Sequence, residues 1–143
     1  MIEVSMVPVG YIDSCWDRVE PHMQKAAEFT YGRYTVDDIY DSVTEHDYHL
    51  WIAFDEGNIL GAVVTQITVY PKRKALNLVF CGGDELHIWK APMLELLQRF
   101  GHDTGCDCLE LTGRRGWAKI FAGDGYKECW VTYELPVKGE DNG

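Results

Sequence analysis

The chain has little positive charge and no long hydrophobic run. Its 143 residues carry 13 Lys and Arg against 23 Asp and Glu, a net charge of -10. Nucleic-acid backbones are held by clustered cations, so no nucleic-acid partner is expected. The acids are scattered through predicted helices and turns, the pattern of a solvated surface rather than of a DNA mimic. No apolar stretch approaches the ~20 residues of a membrane span, and Met1-Ile2-Glu3-Val4 has neither the basic start nor the apolar segment of a signal peptide. A cytoplasmic protein with no membrane partner is expected.

Other absences narrow the chemistry. Cys15, Cys81, Cys106, Cys108 and Cys129 include no C-x-x-C pair, so neither a zinc nor a dithiol redox spacing is encoded. Cys106 and Cys108 can share a strand face, but zinc would need further ligands from elsewhere. His22, His46, His49, His87 and His102 form no H-x-x-x-H on one helix, and no metal is expected. Gly-x-Ser-x-Gly, the P-loop and the dinucleotide Gly-x-Gly-x-x-Gly are all missing. Cys81 precedes two glycines and a predicted helix, a setting that lowers a thiol pKa, yet no His partner is recognisable. With no repeat or Gly/Ser linker, one domain over residues 1–137 is expected, followed by a polar, disordered tail at 138–143.

What is present is periodic. Residues 2–9 fit a short strand that Pro8 confines to an edge or an end. From Ile12 to Thr30, Trp16, Val19, Met23, Ala26, Ala27 and Phe29 recur at helical spacing, with Pro21 marking a first turn or a kink. Thr35 caps a second helix that runs to about Glu45. Tyr48–Asp55, Ile59–Tyr70 and Ala75–Cys81 then read as an antiparallel meander, turning at Glu56-Gly57-Asn58 and Pro71–Lys74 and broken by Gly82-Gly83. A long helix carries Trp89, Met93, Leu94, Leu97 and Phe100 inward, with Pro92 in its first turn or at a kink.

Residues 105–126 are the most informative stretch: a helix stop at Gly105, a strand from Cys106 to Thr112, a Gly/Arg corner, a short helix and a Gly125-Tyr126 exit. In the strand, Cys106, Cys108 and Glu110 alternate with Leu109 and Leu111; in the helix, Trp117, Ile120 and Phe121 share a side. Glu128–Leu135 reads as a closing strand. The order is β-α-α-β-β-β-α-β-α-β, an α/β chain with a mixed sheet and helices on both faces.

This order resembles the GNAT superfamily of N-acetyltransferases. Leu50-Trp51-Ile52-Ala53, Thr65-Gln66-Ile67, Tyr70-Pro71, Gly82-Gly83, Trp89, Gly105-Cys106 and Gly113-Arg114-Arg115-Gly116-Trp117 look like small GNAT-like proteins of tailed phages and prophages, over residues 12–135. The resemblance implies a parallel strand pair, 75–81 and 106–112, splayed into a cleft for acetyl-coenzyme A. The implied activity is direct acetyl transfer to a small amine or a protein. The alternative is a GNAT-fold phage accessory or virion-associated protein that has lost catalysis, located in host cytoplasm or virion. A homodimer or a phage structural partner fits either.

By the same resemblance, Phe80, Cys81, Gly82, Gly83, Lys90, Arg114 and Arg115 are the cofactor-binding candidates. Catalytic GNATs usually carry Arg/Gln-x-x-Gly-x-Gly/Ala at the pyrophosphate loop. This chain offers Cys81-Gly82-Gly83-Asp84-Glu85, without the basic lead residue and with two acids whose bland role is helix capping. The catalytic candidates are Glu110 and Asn77 on the base side and Tyr126. Alignment of Gly125-Tyr126 with the family's Gly-Phe places Phe121 where a leaving-group Tyr usually stands, and Tyr126 on a core position.

Overall fold

The computed structural model describes residues 1–113 and 121–138. Its elements are β1 (Glu3–Val7), α1 (Ile12–Glu28), α2 (Val36–Glu45), β2 (His49–Asp55), β3 (Asn58–Val69), β4 (Lys74–Gly83), α3 (Leu86–Asp103) and β5 (Cys108–Leu111). The strands make one mixed sheet in the spatial order β1-β2-β3-β4-β5. Each of the first four runs antiparallel to its neighbour, and β5 returns parallel to β4 after α3. A parallel pair needs such a crossover, because a tight turn can only reverse the chain. No described helix is long and apolar enough to cross a membrane.

The sheet is covered on both faces. On one, α1 and α2 bury Val19, Met23, Ile39 and Val43 against Leu50, Ala62, Val64 and Phe80. On the other, α3 buries Trp89, Met93 and Leu97 against Trp51, Val63, Leu76 and Leu78. The period-2 strands supply alternate residues to the two layers. Thr35 caps α2 as expected: its side chain accepts from the Asp38 backbone N–H, while Asp38 accepts from the Thr35 backbone N–H. This is a reciprocal capping box.

Several expectations need correction. Pro21 and Pro92 each lie inside a helix, which excludes the first-turn reading of each and leaves a kink. Pro21 is on the solvent side, where water can serve the carbonyl that its missing N–H leaves unbonded. Phe29 lies just past the end of α1 and is half exposed. The Gly82-Gly83 break is not a break, since β4 runs through both, paired with Ala62 and Gly61. The short helix expected after β5 falls mostly on residues 114–120, outside the described residues; Phe121 leads into a 3-10 turn, Ala122–Asp124. Glu128–Leu135 does not form a ladder with any described residue. Its Trp130, Tyr133 and Leu135 are exposed, so no sheet face lies beneath them to reward pairing in place. Of the predicted tail, residues 139–143 also lie outside the described residues.

Candidate active site where the β4–β5 pairing ends

The parallel pair is short. Ala75, Leu76, Asn77 and Leu78 face Cys108, Leu109, Glu110 and Leu111, and one further bond joins the Thr112 N–H to the Leu78 carbonyl. Beyond Leu78, β4 continues to Gly83 with no partner on that side among the described residues. Its other edge is irregular at the same point. Thr65 pairs with Leu78 and Val64 with Phe80, which leaves Val79 as an extra residue, a β-bulge. A bulge bends its strand and re-aims the side chains beyond it. Here it coincides with the point where the pairing with β5 ends.

The bulge also sorts the candidate residues by face. Leu76, Leu78 and Cys81 face α3, whereas Val79 and Phe80 face α1 and α2. Asn77 and Glu110 are register neighbours on the α1 side, alternating with the leucines. Asn77 Oδ1 accepts from Thr112 Oγ1 at 3.0 Å, and Glu110 Oε1 accepts from the Tyr70 hydroxyl at 2.8 Å. That bond to a carboxylate raises the Tyr70 pKa, with burial adding to it. Tyr34 packs edge-on against Phe80 on the same face, with ring centroids 5.1 Å apart.

Tyr126 lies on the α3 side. With Leu94, Gln98, Leu109 and Asp124 it lines a cavity of about 240 Å³. Its hydroxyl is buried and has no hydrogen-bond partner among the described residues. Burial, with the Asp124 charge and Cys81 nearby, pushes its pKa up to about 12. The phenol therefore holds its proton across the physiological range. Cys81 shares this environment, and burial pushes its thiol up to about 12 as well. Burial, which disfavours a thiolate, thus works against any activation of Cys81 by the helix N-terminus.

The glycines serve packing. A Cβ on Gly82 would collide with the His22 carbonyl of α1, and one on Gly61 or Gly83 would strike the Trp89 indole or the neighbouring strand. Trp89, 1% exposed, is anchored by its Nε1–H on the Asp84 carbonyl at 2.9 Å. The β4–α3 junction then turns through Glu85 at φ 54, which makes no side-chain capping bond, and the Asp84 carboxylate pairs with Lys25 at 3.9 Å. The acids do not cap the helix as expected.

Lys90 on α3 bonds Asp124 at 2.9 Å and lies 5.6 Å from the centroid of the Phe121 ring. Phe121, 2% exposed, reaches between Cys81, Leu86 and Lys90, where a cavity of only about 10 Å³ remains. Arg114 and Arg115 lie outside the described residues. The structure thus gathers Cys81, Lys90 and Tyr126 on one face of the opening and Asn77 and Glu110 on the other. Sequence reasoning missed Val79 and Tyr70. Three consecutive large apolar residues, Leu78-Val79-Phe80, were the available sign that the alternation slips.

No protein-family model matches the chain. None of the curated proteins does either. Solved structures do. A ribosomal-protein-alanine N-acetyltransferase from Brucella melitensis biovar Abortus 2308 is similar with TM-score 0.68 at 16% identity, covering 96% of this chain and 99% of that one. An aminoglycoside acetyltransferase from an uncultured soil metagenomic sample gives 0.67 at 13%, covering 96% and 99%. An acetyltransferase of Trypanosoma brucei gives 0.63 at 12%, covering 96% and 100%. The described residues form a five-stranded mixed sheet with three helices, and this arrangement, matched over almost the whole length of such proteins, is a GNAT-like fold.

Proposed function

We propose that the protein is a GNAT-type N-acyltransferase that uses acetyl-coenzyme A and transfers its acetyl group to an amine. The observation that carries this reading is the edge of β4 beyond Val79, unpaired among the described residues, with the Tyr126 hydroxyl on its α3 side likewise unpartnered among them. The residues present fit the acyl arm of the cofactor: an unpaired strand edge offers backbone bonds, and a buried hydroxyl awaits a partner. Acetyl-coenzyme A supplies an activated thioester. Lys90 and the backbone of residues 79–81 would hold it, and Tyr126 would protonate the departing thiolate. Glu110, braced by Tyr70, would take the ammonium proton on the opposite face, where the acceptor enters. Five unpaired cysteines suit a reducing cytoplasm.

A second reading, a fold kept for assembly without turnover, is favoured by Phe121 closing the space beside Cys81 and by the acids Asp84 and Glu85 at the start of α3. Such a protein would serve as an accessory or virion component. Thermal denaturation with millimolar acetyl-coenzyme A separates the two, since a ligand that binds only the folded state raises Tm. The enzyme reading expects a rise, and acetyl transfer to a panel of amines. It also expects Tyr126→Phe to lower kcat roughly 10²-fold or more, the scale of a lost general acid. The same change removes a buried, unsatisfied hydroxyl that costs about 1–3 kcal/mol, so Tm without ligand should not fall. An unchanged Tm with cofactor and no transfer would leave the assembly reading.

A further inference from the structure

We propose, on the acyltransferase reading above, that this protein recognises its donor by the acyl-pantetheine arm alone, and that Asp84 and Glu85 turn the diphosphate of coenzyme A away.

The direction of the donor follows from the strands. Leu78 and the three residues before it pair with β5, while β4 from Val79 to Gly83 is unpaired on that side among the described residues. A thioester laid along this edge has its acyl end at the paired side, beside Asn77 and Glu110. Its other end leaves at Gly83, just ahead of α3. The backbone suits the arm. Asp84 gives its N–H to the Leu60 carbonyl of β3 at 2.8 Å. Alternate residues of an antiparallel ladder turn to opposite sides, so Gly83 and Cys81 direct their N–H and C=O groups to the unpaired edge. Pantetheine is a chain with two amides, and such a chain can pair with a strand edge as a neighbouring strand does.

The diphosphate would meet a different surface. A glycine-rich turn at a helix N-terminus holds phosphate when its N–H groups point outward and nothing blocks the approach. Here Gly82 and Gly83 are strand residues, paired with Ala62 and Gly61. The space over Gly82 is filled by the His22 carbonyl, and that over Gly83 by the β3 backbone and Trp89. Asp84 is held at both backbone groups, its N–H by Leu60 and its C=O by the Trp89 Nε1–H. Trp89 is buried, so the junction cannot be re-aimed without uncovering a core residue. The first N–H groups of any helix lack intrahelical partners. In α3 they follow directly on Asp84 and Glu85, both exposed, and Glu85 makes no side-chain capping bond. Lys25, 3.9 Å from the Asp84 carboxylate, offsets only part of that charge.

Like charge disfavours a diphosphate at this place. The arm is uncharged, so the same acids do not oppose it. The class of donor matched to this chain is therefore a pantetheine thioester whose nucleotide contributes no binding.

Calorimetry and thermal denaturation of the full chain with S-acetylpantetheine and with acetyl-coenzyme A test this, at low salt where charge is least screened. S-acetylpantetheine is expected to bind and to raise Tm, and acetyl-coenzyme A to bind no more tightly. Asp84→Asn/Glu85→Gln should bind acetyl-coenzyme A severalfold more tightly than the parent does, and S-acetylpantetheine equally well. Both side chains are exposed, and Tm without ligand checks that the double variant is folded. Tighter binding of acetyl-coenzyme A than of S-acetylpantetheine by the unaltered protein would mean that a cation from another part of the chain meets the diphosphate. That result, or a double variant with no gain for acetyl-coenzyme A, overturns this proposal and leaves the acyltransferase reading standing. If neither thioester binds, both fall.

Discussion

At the residue scale, small side chains decide how close the layers come. Gly82 has no room for a methyl group because the α1 backbone at His22 occupies it, whereas Gly57 in the β2–β3 hairpin has open space around it. Gly82→Ala forces α1 away from β4 and should cost at least about 1–3 kcal/mol, the range for overpacking. Gly57→Ala should stay within about 0.5 kcal/mol. Urea unfolding of the two variants checks the contrast, and equal midpoints would mean that α1 does not rest on Gly82. In the sequence, two adjacent glycines point to a phosphate loop. Glycine at such a place is legible as a demand for closeness, but not for closeness to what. Tyr126 and Phe121 show the same limit: their types are plain in the sequence, while the burial that orphans one hydroxyl and wedges the other ring against Lys90 depends on packing.

At the element scale the sequence is far more explicit. Each strand and helix from β1 to β5 follows from alternation, helical spacing or a capping residue, all local signals. Thr35 illustrates this, since cap, acids and apolar stripe lie within one short span. Thr35→Ala should therefore cost about 1 kcal/mol, read as a lower urea midpoint with an unchanged slope. An unaltered midpoint would mean that α2 is held by Ile39 and Val43 alone. Glu128–Leu135 marks the boundary of this legibility. Its composition is that of a strand, yet a strand is completed by a neighbour, and the nearest edge in the chain does not pair with it. The bulge at Val79 is hidden for a related reason. Alternation in one strand does not reveal a slip that exists only relative to its partner.

At the scale of the whole molecule, net charge governs encounter rather than fold. A chain of charge -10 repels a polyanion such as coenzyme A while it is still distant. Screening shortens that repulsion, with a Debye length of about 30 Å at 0.01 M salt and about 8 Å at 0.15 M. The association rate for acetyl-coenzyme A should therefore rise severalfold over that range in stopped-flow measurements. A falling rate would mean that a local cationic patch, rather than the overall charge, steers the cofactor in.

The extra residue in β4 has a consequence for how this chain can vary. Its two halves run in opposite phase, so that Leu76 and Leu78 belong to one layer and Phe80 to the other. Loss of Val79 would leave Leu78, Phe80 and Cys81 in their present layers, in regular pairing with Thr65, Val64 and Val63, and would straighten the strand so that the neighbouring edge could zip shut. Neither core needs the extra residue; only the opening beside β4 does.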